Sequence, residues 1–237
     1  VLLGVVGVAL LSMPVFAFGG ADGRHDPHDV KDRGSFILGD FVRRWFYWFI
    51  RPVEAVSLTL GLHPVAFNLL GVGFGIVAGI LFATGHLHLA GWSVLLGGVA
   101  DVLDGRVARA RGMADERGAF LDSTLDRFAE LGAFVGLGVL FAASEWGLVV
   151  VTAALGGSLL VSYARARGES VGVVCKLGIM QRAERLLLVG LGGIFDPALS
   201  SLLGRPQGSL LLPVLAMVAV GTLGTAVFRT VWIARRL

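Results

Sequence analysis

Long apolar stretches separated by short polar turns make up most of this chain after residue 62. Each stretch continues for about 20 positions, which is the length that an α-helix needs to cross the hydrocarbon core of a bilayer. Six such stretches occur, at about residues 64–84, 89–105, 120–142, 146–164, 184–203 and 209–233. The pattern predicts a core of six transmembrane helices, and no internal repeat is evident among them.

The N-terminal quarter of the chain has a different pattern. The apolar run at residues 1–18 is typical of an anchoring helix, and a secretory signal peptide is the alternative. Between residues 36 and 62 arginines are mixed with aromatic side chains, as in an amphipathic helix that lies in the membrane interface. The expected protein is therefore an all-α integral membrane protein. Its parts are an N-terminal hydrophobic helix (1–20), a polar loop with a juxtamembrane amphipathic helix (21–62) and a six-helix domain (63–237).

The composition agrees with a membrane protein. Hydrophobic residues make up 55% of the chain and the mean hydropathy is +0.80, while only 16% of the residues are charged. Soluble domains carry about 25% charged residues. The lower charged fraction of this chain therefore disfavours a soluble protein. The single cysteine, Cys175, excludes an intrachain disulfide and a cysteine-based zinc site.

Basic side chains concentrate at alternate ends of the predicted helices. The short turns on one side carry one arginine, Arg205, whereas the opposite helix ends are rich in arginine. Cytoplasmic loops of membrane proteins carry the excess of Lys and Arg. We therefore expect residues 106–117 and 165–182 in the cytoplasm, and residues 85–88 and 143–147 on the outer side of the cell membrane.

Four aspartates lie in two pairs within DVLDGRVARARGMADERGAFLDSTLDR, residues 101–127. Asp101 and Asp104 are three apart, and Asp122 and Asp126 are four apart, so each pair shares one face of a helix. Two antiparallel helices would bring all four carboxylates to one point. An isolated carboxylate in the membrane costs about 2.5–3.5 kcal/mol, and one or two hard divalent cations would offset that cost. Interfacial acids paired with nearby arginines are the alternative.

The same stretch resembles the signature of the CDP-alcohol phosphotransferase family, D-x2-D-G-x2-A-R-x8-G-x3-D-x3-D. All eight fixed positions are filled, by Asp101, Asp104, Gly105, Ala108, Arg109, Gly118, Asp122 and Asp126. The six-helix pattern also matches that family, so the resemblance covers about residues 62–234. The resemblance is incomplete upstream of the signature. There the family often has Pro-Asn followed by Thr, whereas this chain has Pro64 and Val65, with Asn68 at the Thr position.

The resemblance implies transfer of a phosphatidyl-type group from a CDP-linked lipid, CDP-diacylglycerol, to an alcohol with release of CMP. It implies two Mg²⁺ or Mn²⁺ ions held by Asp101, Asp104 and Asp122, with Asp126 shared. Asp126 is also the implied catalytic base for the attacking hydroxyl. The implied CDP site is lined by Gly105, Ala108, Arg109 and Gly118.

Four further arginines indicate the kind of acceptor. Arg165 and Arg167 end the fourth core helix, and Arg182 and Arg185 precede the fifth on the same side. Together they would suit an anionic acceptor, and positive-inside anchoring is the alternative. Their pattern is similar to SY-x-[KR]-A-R-x-E … R-x-E-R in the phosphatidylinositol-phosphate synthase branch and its archaeal-lipid relatives, although Gly168 interrupts the ARAE form. That resemblance implies inositol 1-phosphate as the acceptor.

Two other functions stay open on the sequence. Glycerol 3-phosphate is also an anionic acceptor and would yield phosphatidylglycerol phosphate. A divalent-cation transporter would also use an aspartate cluster, although Arg109 is unfavourable in a cation path. The expected partners are the CDP-linked donor, a phosphorylated small alcohol and membrane lipid, without nucleic acid, and a homodimer is one assembly that the sequence allows. The active site is expected on the cytoplasmic face.

Overall fold

The computed structural model describes residues 11–18 and 39–237, whose helices are its only regular secondary structure. A helical segment at residues 11–18 (α1) belongs to the predicted N-terminal helix, whose other residues lie outside the described ranges, as does the polar loop. The juxtamembrane helix is α2 (Gly39–Thr59). Six further helices follow: α3 (Pro64–Ala83), α4 (Leu87–Ala110), α5 (Glu116–Leu140), α6 (Glu145–Ser170), α7 (Arg182–Leu202) and α8 (Leu211–Ala234).

Two helices continue well beyond their apolar stretches. The hydropathy pattern places their ends near residues 105 and 164, whereas α4 ends at Ala110 and α6 ends at Ser170. Hydropathy marks where a helix would leave the apolar part of a bilayer, and a helix with charged residues can continue into water. The polar linker expected at residues 106–117 is therefore only a short turn between α4 and α5.

Five of the described helices are long and apolar enough to cross a membrane, namely α3, α4, α6, α7 and α8. Their number and composition agree with an integral membrane protein. The remaining core helix, α5, has a similar length of 25 residues but carries six Asp, Glu and Arg residues. Its charges therefore set it apart from the other five. The juxtamembrane helix α2 is not among the candidate spans, in agreement with the sequence pattern.

Glycines allow α3 and α5 to approach each other closely. A Cβ atom at Gly79 would collide with the backbone of Gly132, and one at Gly136 would collide with the backbone of Gly79. Small residues at such contacts are typical of membrane helix packing. α3 also packs on α4, α4 packs on α7, and α6 packs on α8. The position of α5, which carries two of the four aspartates, is set by this backbone contact.

The main apolar core lies at the end of the bundle where α3 meets α4. Phe82 and Leu87, on either side of that turn, are almost fully buried together with Leu137 and Leu211. Asp196 completes this end, because its carboxylate accepts backbone hydrogen bonds from the segment that begins α8. The aspartates of the signature lie toward the opposite ends of α4 and α5, where charged residues replace apolar packing.

The juxtamembrane helix is attached to the end of α4 through charged groups. Arg106 Nε lies 2.7 Å from Glu54 Oε2, and both side chains are buried; we call this ion pair the Glu54–Arg106 clasp. Arg111 Nη1 donates hydrogen bonds to the carbonyl oxygens of Gly61 and Leu62. Around the clasp, α2, α3 and α4 share a second apolar cluster of Tyr47, Ile50, Phe67, Leu103 and Val107. α2 therefore packs against the helix that carries half of the signature.

Candidate active site

The four aspartates come together between α4 and α5. One carboxylate oxygen from each of Asp101, Asp122 and Asp126 lies within 4.8 Å of the other two. Asp104 lies close enough to interact electrostatically with all three of these acids. The two helices thus present a cluster of four acids, as their spacing predicts.

The short turn between α4 and α5 makes this convergence feasible. Gly112 has a φ of +66°, a left-handed conformation that glycine adopts without steric cost. Asp115 Oδ1 then accepts a hydrogen bond of 2.7 Å from the backbone N–H of Gly118 and caps the start of α5. The sequence analysis placed Asp115 and Glu116 in a longer linker, whereas they form the cap and the first residue of α5.

The cluster fits a divalent metal ion by the chemistry of its donor atoms. Asp104 is 4% exposed, and its Oδ2 atom and the Oδ1 atom of Asp122 are buried without a hydrogen-bond partner among the described residues. A buried anionic oxygen without a partner is costly. A set of carboxylate oxygens alone is the environment that Mg²⁺ and Mn²⁺ prefer. The residues present therefore suit such an ion.

Arg182, the first residue of α7, extends across the cluster. Its Nη2 atom lies 2.7 Å from Asp126 Oδ1, and its Nη1 atom forms an ion pair with Asp101 Oδ1. One guanidinium therefore joins α4, α5 and the start of α7. The sequence analysis placed Arg182 in an acceptor pocket, and the structure places it directly on two of the candidate metal ligands.

A second ion-pair network lies one helical turn along α5. Arg185 Nε is 2.9 Å from Glu130 Oε1, and the two side chains are 2% and 4% exposed. Arg127 Nη1 lies 3.5 Å from Glu130 and donates a hydrogen bond of 2.6 Å to Ser162 Oγ. The sequence analysis missed Glu130. The sequence spacing could have identified it, because Glu130 follows Asp126 by four residues and therefore lies on the same face of the helix.

The other two predicted acceptor residues lie at the exposed end of α6. Arg165 Nε is 2.9 Å from Glu169 Oε1, and Arg167 Nη1 donates a hydrogen bond to Ser170 Oγ. These described contacts are made within α6. The four arginines are thus divided between the carboxylate site and the end of the neighbouring helix.

Three of the predicted CDP-binding residues, Gly105, Ala108 and Arg109, follow one another on α4 after the aspartates. A Cβ atom at Gly105 would lie 3.2 Å from Arg109 Nη1, so the glycine leaves space for that guanidinium. The fourth residue, Gly118, lies in the first turn of α5. A Cβ atom there would lie 3.0 Å from the capping oxygen of Asp115, so Gly118 also leaves space for the cap.

Arg229 is a buried cation that the sequence analysis did not select. It is 3% exposed, and it donates hydrogen bonds of 2.8 Å and 3.0 Å to the carbonyl oxygens of Leu177 and Val161. It also interacts electrostatically with Arg165 and Arg185. Arg229 could have been selected from the sequence, because a lone ionisable residue inside an apolar membrane helix is a functional candidate by default.

An apolar cleft lies beside the ion pairs. It is bounded by α3, α4, α5 and α7. Its lining includes Gly71, Gly75, Gly97, Phe134 and Val189, together with Glu130, Arg182 and Arg185. The cleft therefore joins a charged site to an apolar helix interface.

The chain is similar to known proteins of one family. Residues 63–232 match the CDP-alcohol phosphatidyltransferase family. The chain is 40% identical over 165 residues to a phosphatidylinositol phosphate synthase of Mycobacteroides abscessus, which covers 68% of this chain and 74% of that protein. It is 34% identical over 213 residues to a phosphatidylinositol phosphate synthase of Streptomyces avermitilis, which covers 85% of this chain and 84% of the relative.

The fold is similar to solved structures of the phosphatidylinositol phosphate synthase of Mycobacterium tuberculosis. The structure with CDP-DAG bound has a TM-score of 0.65 and 29% sequence identity, and covers 77% of this chain and 92% of that one. The structure in complex with manganese and citrate has a TM-score of 0.66 and 30% identity, and covers 76% and 88%.

The helical membrane fold, the acidic cluster and these matches together define an integral membrane phosphotransferase. More particularly, the chain belongs to the CDP-alcohol phosphatidyltransferase family. The family predicted from the eight signature positions is thereby confirmed. The divalent-cation transporter, which the aspartate cluster alone left open, is disfavoured by the same match.

Proposed function

We propose that this protein transfers the phosphatidyl group of CDP-diacylglycerol to inositol 1-phosphate and releases CMP. The observation that carries the proposal is the convergence of Asp101, Asp122 and Asp126 within 4.8 Å of one another. The relatives support the choice of substrates, because they are named phosphatidylinositol phosphate synthases. The relative of known structure supports the donor, because it was solved with CDP-DAG bound.

The four aspartates have separable roles in this reaction. Asp101, Asp104 and Asp122 would hold the divalent metal, which we propose to be two Mg²⁺ or Mn²⁺ ions, with Asp126 shared. The bound metal supplies positive charge that neutralises the donor diphosphate and the CMP leaving group. Manganese in the solved relative agrees with this donor set.

Asp126 is the proposed general base. It accepts the proton of the attacking acceptor hydroxyl, whose oxygen then forms a bond to the phosphorus that bears diacylglycerol. The bond from that phosphorus to the CMP oxygen breaks, and CMP leaves with the electron pair. Gly105, Ala108, Arg109 and Gly118 would line the CDP site, where Arg109 supplies positive charge for phosphate.

The acceptor phosphate needs its own cations. A phosphomonoester carries about 1.5 to 2 negative charges at pH 7, whereas a metal at the aspartates would neutralise the donor diphosphate. Arg182 and Arg185 lie beside the carboxylate cluster. We propose that they bind the phosphate with help from Arg165 and Arg167. The buried Arg229 is a further candidate, because it lies close enough to Arg165 and Arg185 for their positive charges to repel one another, and an anion would relieve that repulsion.

The proposed setting is the cytoplasmic face of the cell membrane. The arginine-rich ends of α4, α6 and α7 favour that orientation. We propose that α5 crosses the membrane with the five apolar helices, giving a six-helix domain at residues 63–237. Its charges would then lie among the other helices. The apolar cleft between α3, α4, α5 and α7 is the proposed groove for an acyl chain of the donor.

A competition between acceptors tests the proposed substrate. The protein is incubated with CDP-diacylglycerol, Mg²⁺ and equal amounts of inositol 1-phosphate and glycerol 3-phosphate, and the lipid products are identified by mass spectrometry. We expect phosphatidylinositol phosphate as the main product. Phosphatidylglycerol phosphate as the main product would reject inositol 1-phosphate and retain an anionic acceptor. A product from free inositol or serine would reject the arginine pocket as well.

A further inference from the structure

We propose that Arg182 couples metal binding to acceptor binding. It competes with the divalent cation for Asp101 and Asp126, and once displaced it binds the acceptor phosphate. The inference rests on the proposed function, because it assumes a metal at the aspartates and a phosphate on the acceptor. It assigns Arg182 a positioning role that joins two sites.

The contacts of Arg182 make the competition direct. Its guanidinium is paired with Oδ1 of Asp126 at 2.7 Å and with Oδ1 of Asp101. Asp101 and Asp126 are two of the three residues whose oxygens converge closely enough to hold a metal ion. A guanidinium and a divalent cation repel each other, so pairing with Arg182 weakens the attraction of these carboxylates for a metal. We therefore expect a bound metal to displace Arg182 from at least part of this contact.

Arg182 differs from Arg185 in its freedom to move. Arg185 is 2% exposed and makes two contacts with the buried Glu130. Arg182 is 17% exposed and lies at the first position of α7, after a segment without helical structure. Its long side chain carries a planar guanidinium, which suits phosphate oxygens as well as carboxylates. Arg182 is therefore the arginine that can exchange partners.

Competition of this kind produces reciprocal coupling. The metal releases Arg182 from the carboxylates, which makes the guanidinium available to the acceptor phosphate. The acceptor in turn draws Arg182 away and leaves the carboxylates available to the metal. Each ligand must then strengthen the binding of the other by the same factor. Without Arg182, the metal should bind more tightly on its own, and the coupling should be smaller.

Titration with Mn²⁺ measures these effects without an activity assay. Free Mn²⁺ is followed by its electron paramagnetic resonance signal, with and without saturating inositol 1-phosphate. We expect Arg182→Gln to bind Mn²⁺ more tightly than the wild type, by roughly 5- to 150-fold if the coupling is of ordinary size. Saturating inositol 1-phosphate should increase the Mn²⁺ affinity of the wild type. The factor of this increase should be at least about fivefold smaller in Arg182→Gln.

Arg205→Gln is the matched control. Arg205 is exposed in the turn between α7 and α8 and takes no part in the proposed sites. We expect its Mn²⁺ affinity to equal that of the wild type. Arg182→Lys is a second test that retains a cation. A single ammonium group cannot pair with both carboxylates as the guanidinium does, so its Mn²⁺ affinity should lie between those of the wild type and Arg182→Gln.

Unchanged or weaker Mn²⁺ binding in Arg182→Gln would overturn the proposal, provided that circular dichroism shows a folded protein. If that variant does not fold, Arg182→Lys decides, and an affinity no higher than that of the wild type would overturn it. Failure of the proposed function gives a different result. In that case the wild type would release no CMP with inositol 1-phosphate, while the Mn²⁺ titration would still report the competition at the carboxylates.

Discussion

Asp126 lies within ion-pair distance of two cationic side chains. Its Oδ1 atom is 2.7 Å from Arg182 Nη2, and its Oδ2 atom is 4.0 Å from Arg127 Nη2. If Asp126 is the general base, Asp126→Asn should lower kcat by about 10²–10⁴-fold, because proton abstraction by the carboxylate is lost. Binding of CDP-diacylglycerol should be largely retained. Steady-state kinetics and a direct binding titration check the two effects separately.

Glu116→Gln is a suitable control for Asp126→Asn. Glu116 lies on the same helix, is exposed, and takes no part in the carboxylate cluster. Its replacement should leave both kcat and donor binding close to the wild-type values. An equal loss of donor binding and kcat in Asp126→Asn would mean that Asp126 acts mainly as a metal ligand.

The residue scale also shows which contacts the sequence predicts. The aspartates meet because helical periodicity places each pair on one face and a short turn reverses the chain. The pairing of Arg182 with Asp101 joins positions that are distant in the sequence, so local spacing cannot predict it. The same holds for Arg185 and Glu130, which lie 55 positions apart. Such pairs depend on how α7 packs against α4 and α5.

At the level of elements, the contact between α3 and α5 depends on glycine. A Cβ atom at Gly136 would collide with the backbone of Gly79, which cannot move aside as a flexible side chain could. Gly136→Ala should destabilise the protein by about 1–3 kcal/mol, the usual cost of overpacking a close contact. Thermal unfolding in detergent measures this loss as a lower Tm.

Gly138 provides the matched control on the same helix. A Cβ atom at this position has no neighbour within 4 Å. Gly138→Ala should therefore leave the Tm unchanged or raise it slightly, because alanine is favoured over glycine in a helix by about 1 kcal/mol. Equal losses of Tm in the two variants would contradict the proposed role of the α3–α5 contact.

The Glu54–Arg106 clasp is the second contact to test at this scale. Both side chains are buried, and the guanidinium of Arg106 also lies 5.0 Å from the ring centroid of Tyr47. Glu54→Gln removes the carboxylate that lies 2.7 Å from the buried guanidinium, and breaking a buried ion pair costs about 3–5 kcal/mol. We expect a lower Tm in Glu54→Gln, measured in the same way.

Two further variants show whether the clasp itself is responsible. The exchange of both residues, Glu54→Arg with Arg106→Glu, should recover part of the Tm that either single replacement loses. Arg165→Gln breaks an exposed ion pair with Glu169 and should change stability by about 0–1 kcal/mol. A double exchange no more stable than the single replacements would contradict a direct ion-pair contribution.

For the whole molecule, the hydropathy pattern predicts the order and approximate bounds of the core helices because apolar length is set by the bilayer. It does not predict where α4 and α6 end, because Arg109 and Arg167 lie in helical turns beyond their apolar stretches. It also treats α5 as equivalent to the other helices, although its acidic and basic residues belong to the site. The juxtamembrane helix was recognised from its mixed pattern, whereas its clasp to α4 required tertiary structure.

Orientation in the membrane is a separate prediction for the whole molecule. Cysteines are introduced at Met113, in the turn between α4 and α5, and at His86, in the turn between α3 and α4, after replacement of Cys175 by Ala. Both positions are exposed. A membrane-impermeant maleimide should label residue 86 in intact cells and residue 113 only after permeabilisation. The reverse pattern would place the aspartates outside.

Metal-dependent release of CMP tests the central claim most directly. The wild type, Asp122→Asn and Glu116→Gln are incubated with CDP-diacylglycerol and inositol 1-phosphate, with Mg²⁺ or with a chelator, and CMP is measured. We expect CMP from the wild type and Glu116→Gln with Mg²⁺. We expect essentially none with the chelator or from Asp122→Asn, because each removes part of a site built from carboxylate oxygens. Substantial CMP release by well-chelated wild-type protein would contradict the account.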